Sequence, residues 1–176
     1  MYYTGIGSKG IPYDAMKNMS WVAEYLAKMG YTLRTGRSDC PAERAFRMGV
    51  ENYYKRFPSK NELKTDYYSY DDITPYAINI AKMYIGDWGT LSPRLKNYYA
   101  ISVMLVFGQD LINPSKFLIC WTGNGAESAA HVNRRTGPAG LCIKIARDCE
   151  IPVINLKREN AMDKLTKVLR KLEENK

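Results

Sequence analysis

Four short segments carry residue types that can hold a phosphate without a metal. Gly5-Ile6-Gly7-Ser8, Thr35-Gly36-Arg37-Ser38 and Thr122-Gly123-Asn124-Gly125 each end a β-prone run, and Thr136-Gly137-Pro138-Ala139-Gly140 opens a helix-prone one. Glycine lets backbone N–H groups come close to an anion, and Ser8, Thr35 and Thr122 add hydroxyl donors. The free N–H groups and positive dipole end of a helix beginning after Gly137 and Pro138 suit the same ligand. In an open parallel sheet the strand C-termini share one edge, where ligands bind. The four segments are therefore expected to converge into a phosphate cradle. Arg134 and Arg135 precede the anion-binding helix and are expected to act as longer-range phosphate partners. Trp121, at a strand end, has two readings: a stacking platform for a base, or a plug at the core edge. G-x-x-x-x-G-K-[ST] does not occur, which argues against a P-loop ATPase, whereas G-x-G-x-x-G occurs once, as Gly5-Ile6-Gly7-Ser8-Lys9-Gly10 at the end of the first β-prone run.

Catalytic groups are harder to find. Glu43 and Glu127 are the acidic candidates beside the cradle, and each reads as a helix-cap or surface residue; Asp39 reads as an acid near a helix N-cap. No catalytic residue is nominated. His131 is the sole histidine, and the four cysteines (Cys40, Cys120, Cys142, Cys149) lack a C-x-x-C spacing, so neither a metal site nor a disulfide framework is expected. No cofactor is implied. The 14 tyrosines include the adjacent pairs Tyr53-Tyr54, Tyr67-Tyr68 and Tyr98-Tyr99. Neighbours in a helix or strand do not share a face, so at least half of these should be structural.

The elements that would position these groups follow from periodicity. YYTGIG and YTLRTG read as short strands, SKFLICW and IPVINL as buried ones. Between them DAMKNMSWVAEYLAKMG repeats apolar residues at helical spacing and ends at Gly30. Helices are also expected over Pro41 to about Tyr54, ITPYAINIAKMYI, SPRLKNYYAISVMLVFGQDL, AGLCIKIARDCE and AMDKLTKVLRKLEEN. Residues 55–70, polar and tyrosine-rich without steady period, read as a surface excursion. The order predicts one Rossmann-like α/β domain whose mainly parallel sheet is covered by helices on both faces.

The chain has 176 residues and a formal net charge of +8, with a pI near 9.3. That balance suits nucleotides or nucleic acid, although part of the excess lies in the C-terminal helix and is equally explained as a solvated face. No apolar run reaches the roughly 20 residues of a membrane span, and the N-terminus lacks a signal pattern, so a cytoplasmic protein with no membrane partner is expected.

TGIGSKGIP, LAKMGYTLRTG, AERAFRMG, PSKFLICWT and TGPAGLCIKIARDCEIPVINL, in this order, resemble the DNA-processing protein A (DprA/Smf) branch of the SLOG superfamily. The resemblance covers most of the chain apart from residues 55–70 and the last helix, and stand-alone members of this length are common in bacteriophages. It implies a Rossmann-like fold whose first phosphate turn is Gly5, Gly7 and Ser8, with Lys9 in the place of an arginine. Thr35 and Gly36 match the second turn, where Arg37 replaces a glycine and Glu43 stands near the family's acidic position with one residue inserted before it. Gly137 and Gly140 match the late glycine element, where Pro138 and Ala139 replace glycine and threonine, and Lys144 stands where arginine is frequent. Ile101 and Ser102 fall where the family carries an Arg-Asn pair. The matching stretch of the related phosphoribohydrolases supplies a glutamate that TGPAGLCIKI lacks. Three functions are implied: a non-catalytic binder of a nucleotide or nucleotide-derived signal, useful to a phage against host defence; a single-stranded DNA-binding protein; and a nucleoside-monophosphate phosphoribohydrolase. The departures favour the binder. A homo-oligomer is also implied, because related domains pair.

Overall fold

In a computed structural model, residues 1–36, 39–57, 65–137 and 139–175 are described. Among them, five parallel strands form one sheet in the order β3-β2-β1-β4-β5: β1 (Tyr2–Gly7), β2 (Thr32–Gly36), β3 (Thr65–Tyr68), β4 (Leu118–Trp121) and β5 (Val153–Asn155). The helices are α1 (Tyr13–Lys28), α2 (Pro41–Arg56), α3 (Pro75–Tyr84), α4 (Pro93–Phe107), α5 (Ala139–Asp148) and α6 (Ala161–Glu174). The expected Rossmann-like α/β class holds.

Strand alternation divides the core in two. Tyr3, Leu33, Phe117, Ile119, Trp121 and Ile154 pack under α1, α2 and α6, whereas Ile6, Leu118, Cys120 and Val153 pack under α3, α4 and α5. Both faces are buried, so β4 reads as an unbroken apolar run. Glycine sets how closely α2 can approach. A Cβ at Gly5 would lie 2.7 Å from Leu33 Cδ1 and 2.9 Å from Phe46 Cγ, and one at Gly7 would lie 2.6 Å from Ala42 Cβ. Gly49 of α2 meets the Ser20 backbone of α1, where any side chain would run into the carbonyl. At Gly108 (φ +87°) the chain turns left-handed and α4 ends, so the expected helix stops short of Gln109-Asp110-Leu111.

The surface excursion expected over residues 55–70 is corrected. α2 runs on to Arg56, and Thr65–Tyr68 pairs with Leu33–Gly36 as the edge strand of the sheet. Only Tyr68 of β3 is buried, so the strand lacks the apolar run that marks β4. Its pairing comes from the free edge of β2 instead. Residues 58–64 lie outside the described residues.

Candidate functional site

Strand order reverses between β1 and β4, which places the topological switch point at the C-terminal ends of these strands. A cavity of about 910 Å³ opens at that edge of the sheet, on the β1–β2–β3 side. Lys9 follows β1, Gly36 ends β2 and Tyr68 ends β3; all three line it. The first turns of two helices complete the mouth. Cys40 sits at the N-cap of α2, followed by Pro41 and Glu43 of the helix, and Ser92 sits at the N-cap of α4, followed by Arg94 and Leu95. Tyr98, Ile101 and Leu105 of α4 form an apolar wall, with Ser69, Tyr70 and Asp39 at the rim.

Both helices begin with proline at their first turn, where no intrahelical N–H is needed, and Ser92 accepts a bond from the Leu95 N–H at 3.4 Å. The N-terminal N–H groups of α2 and α4 therefore lie at the same mouth, a favourable field for negative charge. Burial and the nearby Glu43 carboxylate together hold the Tyr98 hydroxyl well above its ordinary pKa. The same two causes raise the Cys40 thiol. Burial lifts Tyr68 to about 12. Each of these three groups is neutral at pH 7; Lys9 and Arg94 supply cations at the cavity, and Asp39 and the Glu43 carboxylate are acids in its lining.

Of the residues expected in the cradle, Lys9, Gly36 and Glu43 line this cavity. Glu43 is corrected from a cap or surface residue to a buried one, 1% exposed. Its carboxylate lies against Gly36, where a Cβ would come within 2.5 Å of Oε2. Arg47 reaches over from α2 to donate to the Gly36 carbonyl at 2.6 Å. Arg37 and Pro138 lie outside the described residues.

The hydroxyls expected as ligand donors are turned inward. Thr35 donates to the Gly5 carbonyl at 2.7 Å and Ser8 to the Thr136 carbonyl at 3.0 Å. Thr122 accepts from Ala126 N–H at 3.0 Å and from Asn155 Nδ2 at 2.7 Å. Gly5 and Gly7 serve helix packing, as described above. The reason is shared: Ser8, Thr35 and Thr122 are all buried, and a buried hydroxyl must find a protein partner.

The third and fourth turns form a separate network on the β4–β5 side. Asn124 donates to the His131 carbonyl at 2.8 Å and to Thr136 Oγ1 at 3.0 Å. A Cβ at Gly123 would lie 3.4 Å from the Arg135 carbonyl. Gly137 takes φ +61° beside Ser8, and Ala139 and Gly140 are buried in the first turn of α5, where a Cβ at Gly140 would meet Val132 Cγ1 at 2.7 Å. Lys144 is half-buried on α5, and Arg134 and Arg135 are exposed. Trp121 is 8% exposed and packs in the core under α1 and α2, with Lys157 Nζ 5.7 Å from its ring, so it plugs the core edge.

Glu127 is half-buried and engaged. It accepts from Asn155 N–H at 2.8 Å and pairs with Lys164 at 2.8 Å. His131 is exposed, with Nδ1 2.8 Å from Ser128 Oγ. Two cations that sequence reasoning missed join this edge: Lys157 donates to the Gly123 carbonyl and Arg158 to the Gly125 carbonyl at 2.8 Å. Among the described residues no cluster of three His, Cys, Asp or Glu is placed to hold a metal, and no helix is long and apolar enough to cross a membrane.

Fold and cavity together define a class: a Rossmann-like α/β protein with a ligand-sized cavity at the C-terminal edge of its sheet. Comparison with protein-family models, curated proteins and solved structures finds no match.

Proposed function

We propose that the protein binds a nucleotide or nucleotide-derived small molecule in the cavity beside β1, β2 and β3, and holds it without turnover. The observation that carries this reading is the cavity itself. Its volume falls within the usual range for small-molecule sites, it lies where open α/β sheets bind ligands, and its lining is graded. The phosphate would sit at the mouth, near Lys9, Arg94 and the α2 and α4 N-termini. The base and sugar would lie against Tyr98, Leu95, Ile101 and Leu105.

Binding without chemistry is favoured by the state of the acids. Glu127 is engaged by Lys164 and a backbone N–H and lies outside the cavity lining, and Glu43, which lines the cavity, is buried with its carboxylate packed against Gly36. The resemblance to SLOG domains points the same way, since TGPAGLCIKI carries no acid. A thermal-shift screen of nucleoside mono-, di- and triphosphates, dinucleotides and ADP-ribose tests the reading. At least one ligand should raise Tm, Lys9→Glu or Arg94→Glu should abolish the rise, and chromatography should recover the ligand intact. No shift with any of them refutes binding; release of free base refutes the absence of turnover.

A second reading, single-stranded DNA, is favoured by one observation. Arg134, Arg135, Lys157 and Arg158 gather around the β4 and β5 ends, a basic edge on the β4–β5 side of the sheet. It requires oligonucleotide affinity that falls steeply with salt.

A further inference from the structure

The inner face of α1 is ordinary: Met19, Val22, Ala23, Leu26 and Ala27 are buried against the sheet and α2. Its outer face is not. Tyr13 is 66% exposed, Trp21 58% and Tyr25 41%. The Trp21 and Tyr25 rings stack nearly parallel, centroids 5.9 Å apart and planes 10° apart, and together form one exposed aromatic plate. Lys17 Nζ stands 4.5 Å from the Tyr13 ring. Apolar surface gathered in this way on a soluble fold marks an interaction site.

The charges around the plate choose among partners. Asp14, Trp21 and Lys28 recur every seven residues and so fall close to one line along the helix, within about 20° per step. Lys17 and Tyr25 flank that line, and all five residues are exposed. Glu24 is paired with Arg56 of α2 at 2.7 Å. The face thus carries both signs, arranged symmetrically about Trp21. A polyanion would meet Asp14 on the same line as the aromatic plate.

We infer that this face binds a second copy of the chain, through antiparallel packing of α1 on α1 about a two-fold axis at Trp21. In that register Trp21 meets Trp21, Asp14 of each copy lies level with Lys28 of the other, and Lys17 lies level with the opposing Tyr25 ring. A two-fold interface must be self-complementary, and the sequence of this face is. One helix face is small for a stable dimer, so association is weak and rises with concentration.

Sedimentation velocity over a concentration series, at low salt, tests the inference. The wild-type chain should move from 20.1 kDa toward twice that mass. Trp21→Ala should raise the dissociation constant about thirtyfold, as loss of a central aromatic anchor does. Asp14→Lys or Lys28→Asp alone places like charges opposite one another at two symmetric points and should weaken association about fivefold. The double swap Asp14→Lys/Lys28→Asp should restore it to within about twofold of wild type. Both residues also suit the dipole of α1, so urea midpoints are followed separately to keep helix stability apart from association. The exposed charge pair keeps the test decisive if Trp21→Ala fails to fold. A chain that stays at 20.1 kDa throughout overturns the inference, as does a dimer indifferent to Trp21→Ala or a double swap that fails to restore association. So does a monomer that binds a deoxythymidine oligomer through Trp21.

Discussion

Replacing Asn155 with alanine should cost the protein about 3–4 kcal/mol of stability. Asn155 ends β5 and is fully buried. Its Nδ2 donates to Thr122 Oγ1 at 2.7 Å and to the Ala126 carbonyl at 2.9 Å, and its Oδ1 accepts from Lys157 N–H at 3.1 Å. A longer bond from Thr122 N–H, at 3.4 Å, adds little. Three well-formed bonds at about 1 kcal/mol net each give about 3 kcal/mol, and stranding the buried Ala126 carbonyl and Thr122 hydroxyl adds up to about 1 more. For a chain of this size that corresponds to a fall in Tm of roughly 10 °C. Urea unfolding followed by far-UV circular dichroism measures it, with an unchanged m-value showing that the denatured state is not the cause. Thr122→Val, combined with Asn155→Ala, should cost less than the sum of the two single changes, because they share a bond. A loss below about 1 kcal/mol, or strict additivity, would refute the claim that this amide holds the β4 and β5 loops together.

Three further outcomes follow from packing and burial. Gly49→Ala should destabilise by about 2 kcal/mol or more in urea unfolding, although alanine is the better helix former by about 1 kcal/mol, because its Cβ would meet the Ser20 carbonyl. Stability should be level between pH 6 and about 8.5 and fall as pH rises from about 9 to 12. Burial raises the Cys142 thiol to about 12, as it does Tyr68, and desolvation with Asp148 raises Tyr84 to about 12. The unfolded chain releases these protons first, so stability is complete below the unfolded pKa values and is lost through the folded ones. A Tm that held steady to pH 12 would contradict this. Finally, a thiol reagent at pH 8 should label Cys149, which is exposed, while Cys120 and Cys142 react only on unfolding; peptide mapping distinguishes them.

The elements legible in the sequence were those with a strong period. α1 and α6 each bury one stripe, and β4 and β5 are short apolar runs covered on both faces. β3 was illegible because it is an edge strand with one buried residue, Tyr68, and takes its register from β2. The candidate site divides in the same way. Gly36 could be placed from its strand-end position and Lys9 from the resemblance, whereas Glu43, in the first turn of α2, was read as a cap or surface residue beside the cradle. Arg94, Tyr98, Ile101 and Leu105 could not be placed, because α4 reaches the cavity by tertiary packing across the sheet. The only local signal there was Ser92-Pro93, a helix start. The direction of the Ser8, Thr35 and Thr122 hydroxyls was likewise invisible, since it depends on carbonyls and amides that the fold brings from elsewhere in the chain.

A nucleotide held as proposed in the cavity beside β1, β2 and β3 would lie against the residues that line it. Photoaffinity labelling with an azido-adenine nucleotide, followed by peptide mapping, tests it most directly. Adducts should fall on Tyr68–Tyr70 and on the Ser92–Leu105 segment, and an excess of the unmodified nucleotide should suppress them. Adducts confined to residues 122–140, or labelling that the unmodified nucleotide does not suppress, would contradict it.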